Sequence, residues 1–85
     1  MFQVIYRKEA LKTLFKLPRN TAKLIREKLE QLAQDPFAPN QNVKALQGEG
    51  GFRLRVGDWR IIYELHPDRS VIEVLRIGPR GGIYK

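Results

Sequence analysis

The sequence predicts an α+β fold with the element order β-α-α-β-β-β, in which two antiparallel helices pack on one face of a mainly antiparallel sheet. Apolar residues recur at helical spacing up to about residue 34, whereas the second half is rich in β-branched and aromatic residues. Gly57-Asp58 separates two such β-rich runs, as in a two-residue hairpin loop. With 85 residues and 42% hydrophobic content, the chain is expected to form one domain, residues 1–85, around a small core.

Residues 2–6 are apolar, aromatic or β-branched in most positions and are predicted to form the first strand. Residues 8–17 are predicted to form a helix, because apolar and lysine side chains fall on opposite stripes. The apolar stripe carries Leu11, Leu14 and Phe15, and the lysine stripe carries Lys8, Lys12 and Lys16. The lysine stripe is typical of a solvated helix face, and its contribution to the long-range steering of a polyanion is expected to be weak.

Pro18 ends this helix or opens the next one, which is predicted from about residue 20 to residue 34. Its apolar face is expected to consist of Leu24, Ile25, Leu29, Leu32 and Ala33. Residues 35–51 are rich in Pro, Asn and Gly and are predicted to form a long surface loop with Val43 and Leu46 partly buried. Hairpin strands at 52–56 and 59–65, a turn at 66–69, a last strand at 70–77 and a short tail complete the chain.

The predicted hairpin places three arginines on one face. A two-residue loop pairs Val56 with Trp59 and Arg55 with Arg60, and side chains alternate faces along each strand. One face then carries Phe52, Leu54, Val56, Trp59, Ile61 and Tyr63, and the other carries Arg53, Arg55 and Arg60. Like charges opposite one another destabilise a sheet, so this clustering points to a polyanionic ligand on the uncovered face.

Composition narrows the classes of function. The net charge is +7, and six lysines precede Gly50 whereas arginine dominates after it. The planar guanidinium of arginine can form two hydrogen bonds to one phosphate, so the arginine-rich half is the better candidate for a nucleic-acid site. The chain lacks cysteine and has one histidine, which excludes disulfides, thiol catalysis and most zinc sites; no metal or cofactor is expected. The chain also lacks a long apolar run and a signal peptide, so we expect a cytoplasmic protein without a membrane partner.

The remaining candidate residues have both structural and functional interpretations. Arg80 lies in GPRGG just beyond a strand, as a turn residue or a ligand contact, and Tyr84 either packs on the core or stacks on a base. His66 lies about 20 Å along its strand from Arg60 and is expected to have a structural or solvent role. Glu64 and Glu73 could supply a carboxylate, but Glu64 is expected to be solvated or to balance Arg69.

Several blocks resemble the RelE branch of the RelE/ParE superfamily of bacterial toxins from type II toxin–antitoxin systems. The resemblance covers nearly the whole chain and includes EALKTLFKLP, QDPF, VKALQG, FRLRVGDWRIIYEL and VLRIGPRGGIYK. It implies a RelE-like fold and a ribosome-dependent endoribonuclease that cuts mRNA in the decoding site and stops translation. It also implies an acidic, partly disordered antitoxin that masks the toxin, and operator DNA contacted only through their complex. No small-molecule ligand is implied.

The resemblance also assigns roles to residues of this chain. Arg53 and Arg55 match two basic residues of the family's second strand, and Arg60 matches an arginine that contacts the scissile phosphate. Arg80 matches an arginine thought to help the leaving group, and Tyr84 matches a tyrosine that stacks on or orients the substrate. Catalysis is thus expected from Arg55, Arg60, Arg80 and Tyr84, and substrate binding from Arg53, Arg55, Arg76 and Lys85.

This chain departs from some active relatives, which carry lysine in place of Arg53 and Arg55 and histidine in place of Pro79. Both changes remove candidate proton acceptors, since arginine stays protonated at any relevant pH. The expected reaction is attack of a 2′-hydroxyl on the adjacent phosphate, with the general base unassigned. Two alternatives stay open: a ParE-like inhibitor of DNA gyrase, and a non-enzymatic RNA- or ribosome-binding module such as an inactive toxin.

Overall fold

A computed structural model describes residues 1–48 and 50–80 of the chain. The elements in chain order are β1 (Gln3–Tyr6), α1 (Lys8–Lys16), α2 (Arg19–Gln34), β2 (Val43–Ala45), β3 (Phe52–Val56), β4 (Trp59–His66) and β5 (Val71–Pro79). The strands form one five-stranded sheet in the order β1-β5-β4-β3-β2. β1 runs parallel to β5, and the other three pairs are antiparallel, so the predicted α+β class with a mainly antiparallel sheet is confirmed.

The prediction that residues 35–51 form only a loop is wrong, because β2 adds an edge strand to the sheet. Val43 lies opposite Leu54 and Ala45 lies opposite Phe52. Two features explain why this strand could not be predicted from the sequence. It is only three residues long, and it is flanked by Asn and Gly residues that favour turns. Val43 is partly buried against the core, as expected.

The hairpin register agrees with the sequence prediction, residue for residue. Val56 lies opposite Trp59, and Arg55 lies opposite Arg60. Gly57 adopts a φ of 58° in the turn, whereas Asp58 does not have a positive φ. This combination is typical of a type II′ turn, which needs glycine at its first central position and matches the twist of the flanking strands.

The core lies between the helices and one sheet face, called here the inner face. Its buried residues include Leu54, Ile61 and Tyr63 of the hairpin and Ile72, Val74 and Ile77 of β5. Val74 and Ile77 are three positions apart, so strict alternation would place them on opposite faces. A β-bulge resolves this conflict: Tyr63 pairs with Val74 and Ile62 pairs with Arg76, which leaves Leu75 without a partner on β4.

The predicted apolar faces of the helices are only partly correct. In α1 the buried residues are Ala10 and Leu14, whereas Phe15 is 77% exposed. In α2, Ala22 takes the place predicted for Leu24, which is 44% exposed. Ala10 and Ala22 thus occupy core positions, whereas the larger Phe15 and Leu24 are exposed, and Leu24 borders the site described below. Neither helix has the length and apolar character needed to cross a membrane.

Candidate nucleic-acid interface

The outer face of the sheet, opposite the helices, carries the hairpin arginines in two rows across the strands. The first row consists of Lys44, Arg53, Ile62 and Arg76, which pair in sequence across β2, β3, β4 and β5. The second row contains Arg55, Arg60 and Gly78. The predicted placement of Arg53, Arg55 and Arg60 on one face is thus confirmed, and the register puts Arg76 on the same face.

Arg60 lies on the face that was expected to be uncovered, yet the residue is only 8% exposed. Its Nη1 donates hydrogen bonds to the carbonyl oxygens of Gly57 and Trp59, each at 3.0 Å. These carbonyls belong to the hairpin turn and to the strand that leaves it. The Arg60 guanidinium therefore fixes the turn, and only its remaining N–H groups are available to a ligand.

Arg55 is exposed and is oriented by a neighbour from outside the hairpin. Its Nη2 donates to Oδ1 of Asn42 at 3.1 Å, and its backbone N–H donates to the carbonyl of the same residue at 2.8 Å. Asn42 is itself held by Asn40, whose Oδ1 accepts the Asn42 backbone N–H at 2.9 Å. The segment that leads into β2 therefore positions Arg55.

Arg80 reaches the same place from the end of β5. Its backbone N–H donates to the carbonyl of Asp58 at 2.9 Å, which fastens the end of β5 to the hairpin turn. A groove of about 440 Å³ opens there, called here the cationic groove. Its lining consists of Leu24, Lys28, Asn42, Arg55, Val56, Gly57, Asp58, Arg60 and Arg80.

The cationic groove unites three of the predicted site residues, Arg55, Arg60 and Arg80. Arg53 and Arg76 lie in the neighbouring row of the outer face and do not line it. Nε of Arg53 is buried without a hydrogen-bond partner in the described part of the chain. Tyr84 and Lys85 fall outside the described residues, so their predicted roles stay predictions.

Three polar residues of the cationic groove, Lys28, Asn42 and Asp58, were not predicted as site residues from the sequence. Lys28 follows Leu24 by one helical turn, but the pattern of α2 does not reveal that this flank borders the hairpin. Asn42 precedes a strand that was itself missed. Asp58 is the single carboxylate in the lining, against four cationic side chains. Within residues 1–48 and 50–80, no ion pair engages Arg55, Arg60 or Arg80.

Charged groups also meet where β4 and β5 approach their connecting turn, in a set called here the Glu73 cluster: Arg7, Glu64, His66 and Glu73. Nε2 of His66 lies 2.9 Å from Oε1 of Glu73, and Nε of Arg7 donates to Oε2 at 2.9 Å. Because these hydrogen bonds, first from His66 and then from Arg7, favour the carboxylate, the pKa of Glu73 is lowered. His66 thus has the structural role expected, and its partner is Glu73.

The Glu73 cluster is also the place where the described residues could hold a metal ion. Ligand atoms of Glu64, His66 and Glu73 lie within 4.8 Å of one another. Glu64 and Glu73 are cross-strand partners, and like charges in that arrangement repel. Arg7 offsets this repulsion and His66 hydrogen-bonds to Glu73, so the cluster has a sufficient structural explanation.

Comparison with known proteins assigns the chain to a family. The family model described as "ParE toxin of type II toxin-antitoxin system, parDE" matches residues 4–84. The chain belongs to this toxin family. Among its relatives is a protein named as toxin RelE1 from Methanocaldococcus jannaschii, 33% identical over 99% of this chain and 96% of the relative.

Solved structures of similar toxins support the same assignment. The toxin in the RelE–RelB complex from Pyrococcus horikoshii is 29% identical and superposes with a TM-score of 0.81, over 95% of this chain and 97% of that chain. The RelBE2 complex from Mycobacterium tuberculosis gives 26% identity and a TM-score of 0.79, over 93% and 98% of the two chains. The predicted resemblance to the RelE branch is confirmed.

Proposed function

We propose that this chain is the toxin of a type II pair and acts as a ribosome-dependent mRNA endoribonuclease, neutralised by an acidic, partly disordered antitoxin. One observation supports the nuclease activity above all: Arg55, Arg60 and Arg80 converge on one groove without any carboxylate bonded to them in the described residues. Cationic side chains whose charge is not neutralised by a carboxylate attract a phosphodiester. The family membership and the RelB-bound neighbours support an antitoxin partner.

In the proposed reaction the 2′-hydroxyl of one nucleotide loses its proton and attacks the adjacent phosphorus. The bond from phosphorus to the 5′-oxygen of the next nucleotide breaks, and that oxygen takes a proton from water. The products are a 2′,3′-cyclic phosphate and a 5′-hydroxyl. Arg55 and Arg80 stabilise the charge that develops on the phosphate oxygens, an effect worth about 2.7–4 kcal/mol per well-placed donor. Arg60 holds the turn that carries Asp58 and Trp59, and its remaining N–H groups face the same phosphate.

The groove also offers a candidate for the general base, which the sequence left unassigned. Asp58 is the only carboxylate in its lining, and every other ionisable side chain there is an arginine or a lysine. A carboxylate can accept the 2′-hydroxyl proton, whereas a protonated arginine or lysine cannot. We therefore assign the role of proton acceptor to Asp58.

A single acceptor among fixed cations leaves most of the rate to substrate orientation. Free RNA is flexible, so a ribosome that holds the message in an extended form would supply that orientation. Strong cleavage is therefore expected only for translated message. The proposed site of action is the cytoplasm, where ribosomes and mRNA are found.

The decisive experiment induces the chain in a tolerant host and maps the 5′ ends of an abundant transcript. A matched transcript whose start codon is mutated serves as the untranslated control. We expect new ends only in the translated transcript. Equal cleavage of both transcripts would refute ribosome dependence, and the absence of new ends would refute the nuclease activity.

The name of the matching family favours one specific alternative, inhibition of DNA gyrase. A supercoiling assay with purified gyrase separates the two functions, because a gyrase inhibitor leaves plasmid relaxed and generates no new transcript ends. A non-enzymatic RNA-binding module would give neither result and would be tolerated on induction. We expect normal supercoiling together with new transcript ends.

A further inference from the structure

A second depression adjoins the cationic groove and is called here the amide recess. It has a volume of about 340 Å³ and shares Lys28, Asn42 and Arg55 with the cationic groove. Its other walls come from the second half of α2, from residues 35–40 and from Leu54 of β3. A ligand held by the shared residues can therefore extend from one depression into the other.

The two depressions differ in chemistry. The amide recess adds three side-chain amides and a carboxylate, from Gln31, Gln34, Asn40 and Asp35. The remaining wall is apolar and includes Leu32 and Leu54, both buried. Its only cations are the shared Lys28 and Arg55, so positive charge stops at the boundary and neutral hydrogen-bonding groups begin.

The amides at the boundary are oriented by bonds that leave their donors available. Oδ1 of Asn40 accepts the backbone N–H of Asn42, and Oδ1 of Asn42 accepts from Arg55. No hydrogen bond engages the NH₂ group of either asparagine within the described residues. Gln31 and Gln34 are exposed on α2, two amides that face the same depression.

We propose that the amide recess binds a nucleobase of single-stranded RNA whose phosphodiester lies in the cationic groove, and that it sets the sequence preference of cleavage. Asparagine, glutamine and aspartate read base edges through hydrogen bonds, whereas arginine and lysine bind the backbone and carry little sequence information. Lys28 and Arg55, at the boundary, bind the phosphate that links the two nucleotides. The inference rests on the proposed function and adds a specificity site to it.

Binding of short RNA by the full-length protein tests the recess independently of cleavage. We would measure the affinity of labelled rA₆, rC₆, rG₆ and rU₆ hexamers by fluorescence anisotropy. The wild type is expected to discriminate between the best and worst hexamer by about tenfold, as one well-formed base contact allows. The double variant Gln31→Ala/Asn40→Ala should bring all four affinities within about twofold of one another.

Gln47→Ala is the matched control, because Gln47 is exposed and lines neither depression. It should keep the wild-type preference. Thermal melting would verify that all variants are folded, as expected for exposed positions. The recess is refuted as a base site if the wild type does not discriminate, or if the double variant retains the full preference.

The role of Lys28 at the boundary is tested by the salt dependence of binding. Loss of one phosphate contact on single-stranded RNA should reduce the slope of log affinity against log salt by about 0.7. Lys28→Gln should show this reduction. Lys23→Gln should not show it. Lys23 lies on the same helix but does not line the groove, and its Nζ lies 4.0 Å from Oε1 of Glu27. Equal slopes for both variants would contradict the assignment.

Failure of the inference and failure of the proposed function give different results. If induction of the wild type produces no new transcript ends, the nuclease proposal fails, and the hexamer affinities still decide whether a base is bound. If new ends appear at the same codons for the wild type and for Gln31→Ala/Asn40→Ala, the nuclease proposal stands and the amide recess is not the specificity site.

Discussion

Charged side chains at the two ends of the β4–β5 ribbon differ in the partners to which they bond. Beside the turn that connects β4 to β5, Arg7 and His66 hydrogen-bond to the two carboxylate oxygens of Glu73. At the hairpin end, the arginines bond to backbone carbonyls and to an amide, and no carboxylate pairs with them among the described residues. The carboxylate is thus paired at the turn between β4 and β5, whereas the arginines without a carboxylate partner lie at the end where we propose that RNA binds.

The difference also shows that arginines in one patch need not do the same work. Arg60 is nearly buried and ties the turn together, whereas Arg55 is exposed and merely oriented by Asn42. A buried arginine that donates to backbone carbonyls contributes to stability, because its removal takes those hydrogen bonds away. Substitutions at the two positions should therefore have different consequences.

The largest effect is expected from Arg80→Ala, which removes a cation from the groove without removing its backbone bond to Asp58. We expect cleavage of translated mRNA to fall about 10²- to 10³-fold, in line with loss of one donor to a developing oxyanion. Primer extension on the induced transcript would measure it. Arg69→Ala, at the β4–β5 turn, is the control and should remain fully toxic. Full toxicity of Arg80→Ala would show that the hairpin end does not take part in catalysis.

Asp58→Asn should reduce cleavage by about 10²-fold, because the amide cannot accept the 2′-hydroxyl proton. RNA affinity should be unchanged or slightly higher, since a negative charge leaves a cationic groove. Single-turnover rates on programmed ribosomes, together with hexamer affinities, separate the two quantities. Asp68→Asn, in the exposed turn at the opposite end, is the matched control. A normal rate for Asp58→Asn would show that the proton leaves by another route.

Arg60→Ala is expected to lower stability as well as activity. The hydrogen bonds from Arg60 to the carbonyl oxygens of Gly57 and Trp59 are lost, at a cost of about 1–3 kcal/mol of unfolding free energy. Arg55→Ala should change that free energy by less than about 0.5 kcal/mol, as an exposed substitution. Urea denaturation of both variants provides the comparison. Equal stability of the two variants would mean that Arg60 does not fix the turn.

The smallest effect is expected at the opposite end, from Glu73→Gln. The pKa of Glu73 is lowered in the folded state, so its charged contacts stabilise the protein above the pKa of the unfolded chain and are lost as the pH falls through the folded pKa. The melting temperature of the variant should lie roughly 1–3 °C below that of the wild type at pH 7. The difference should vanish in acid. A difference that persists at low pH would point to packing instead of charge.

Much of this architecture follows from local patterns. Alternation along 52–56 and 59–65, together with Gly57 in a two-residue loop, determined the hairpin register and hence the shared face of Arg53, Arg55 and Arg60. Helical spacing located α1 and α2, because the buried stripe recurs with the helix period. These features depend on neighbours within a few residues, so a single sequence is enough to predict them.

Other features arise only from contacts between distant segments. β2 exists because the edge of β3 offers it hydrogen bonds, and the burial of Ala22 with exposure of Leu24 depends on how α2 packs on the sheet. The burial of Arg60 and the arrival of Lys28, Asn42 and Asp58 in one groove likewise depend on packing. Local alternation around a two-residue turn was enough to place Arg53, Arg55 and Arg60 on one face of the hairpin, because strand period and turn geometry involve only near neighbours. Which of these side chains are paired, buried or left open follows from packing, because those states depend on segments far apart in the chain.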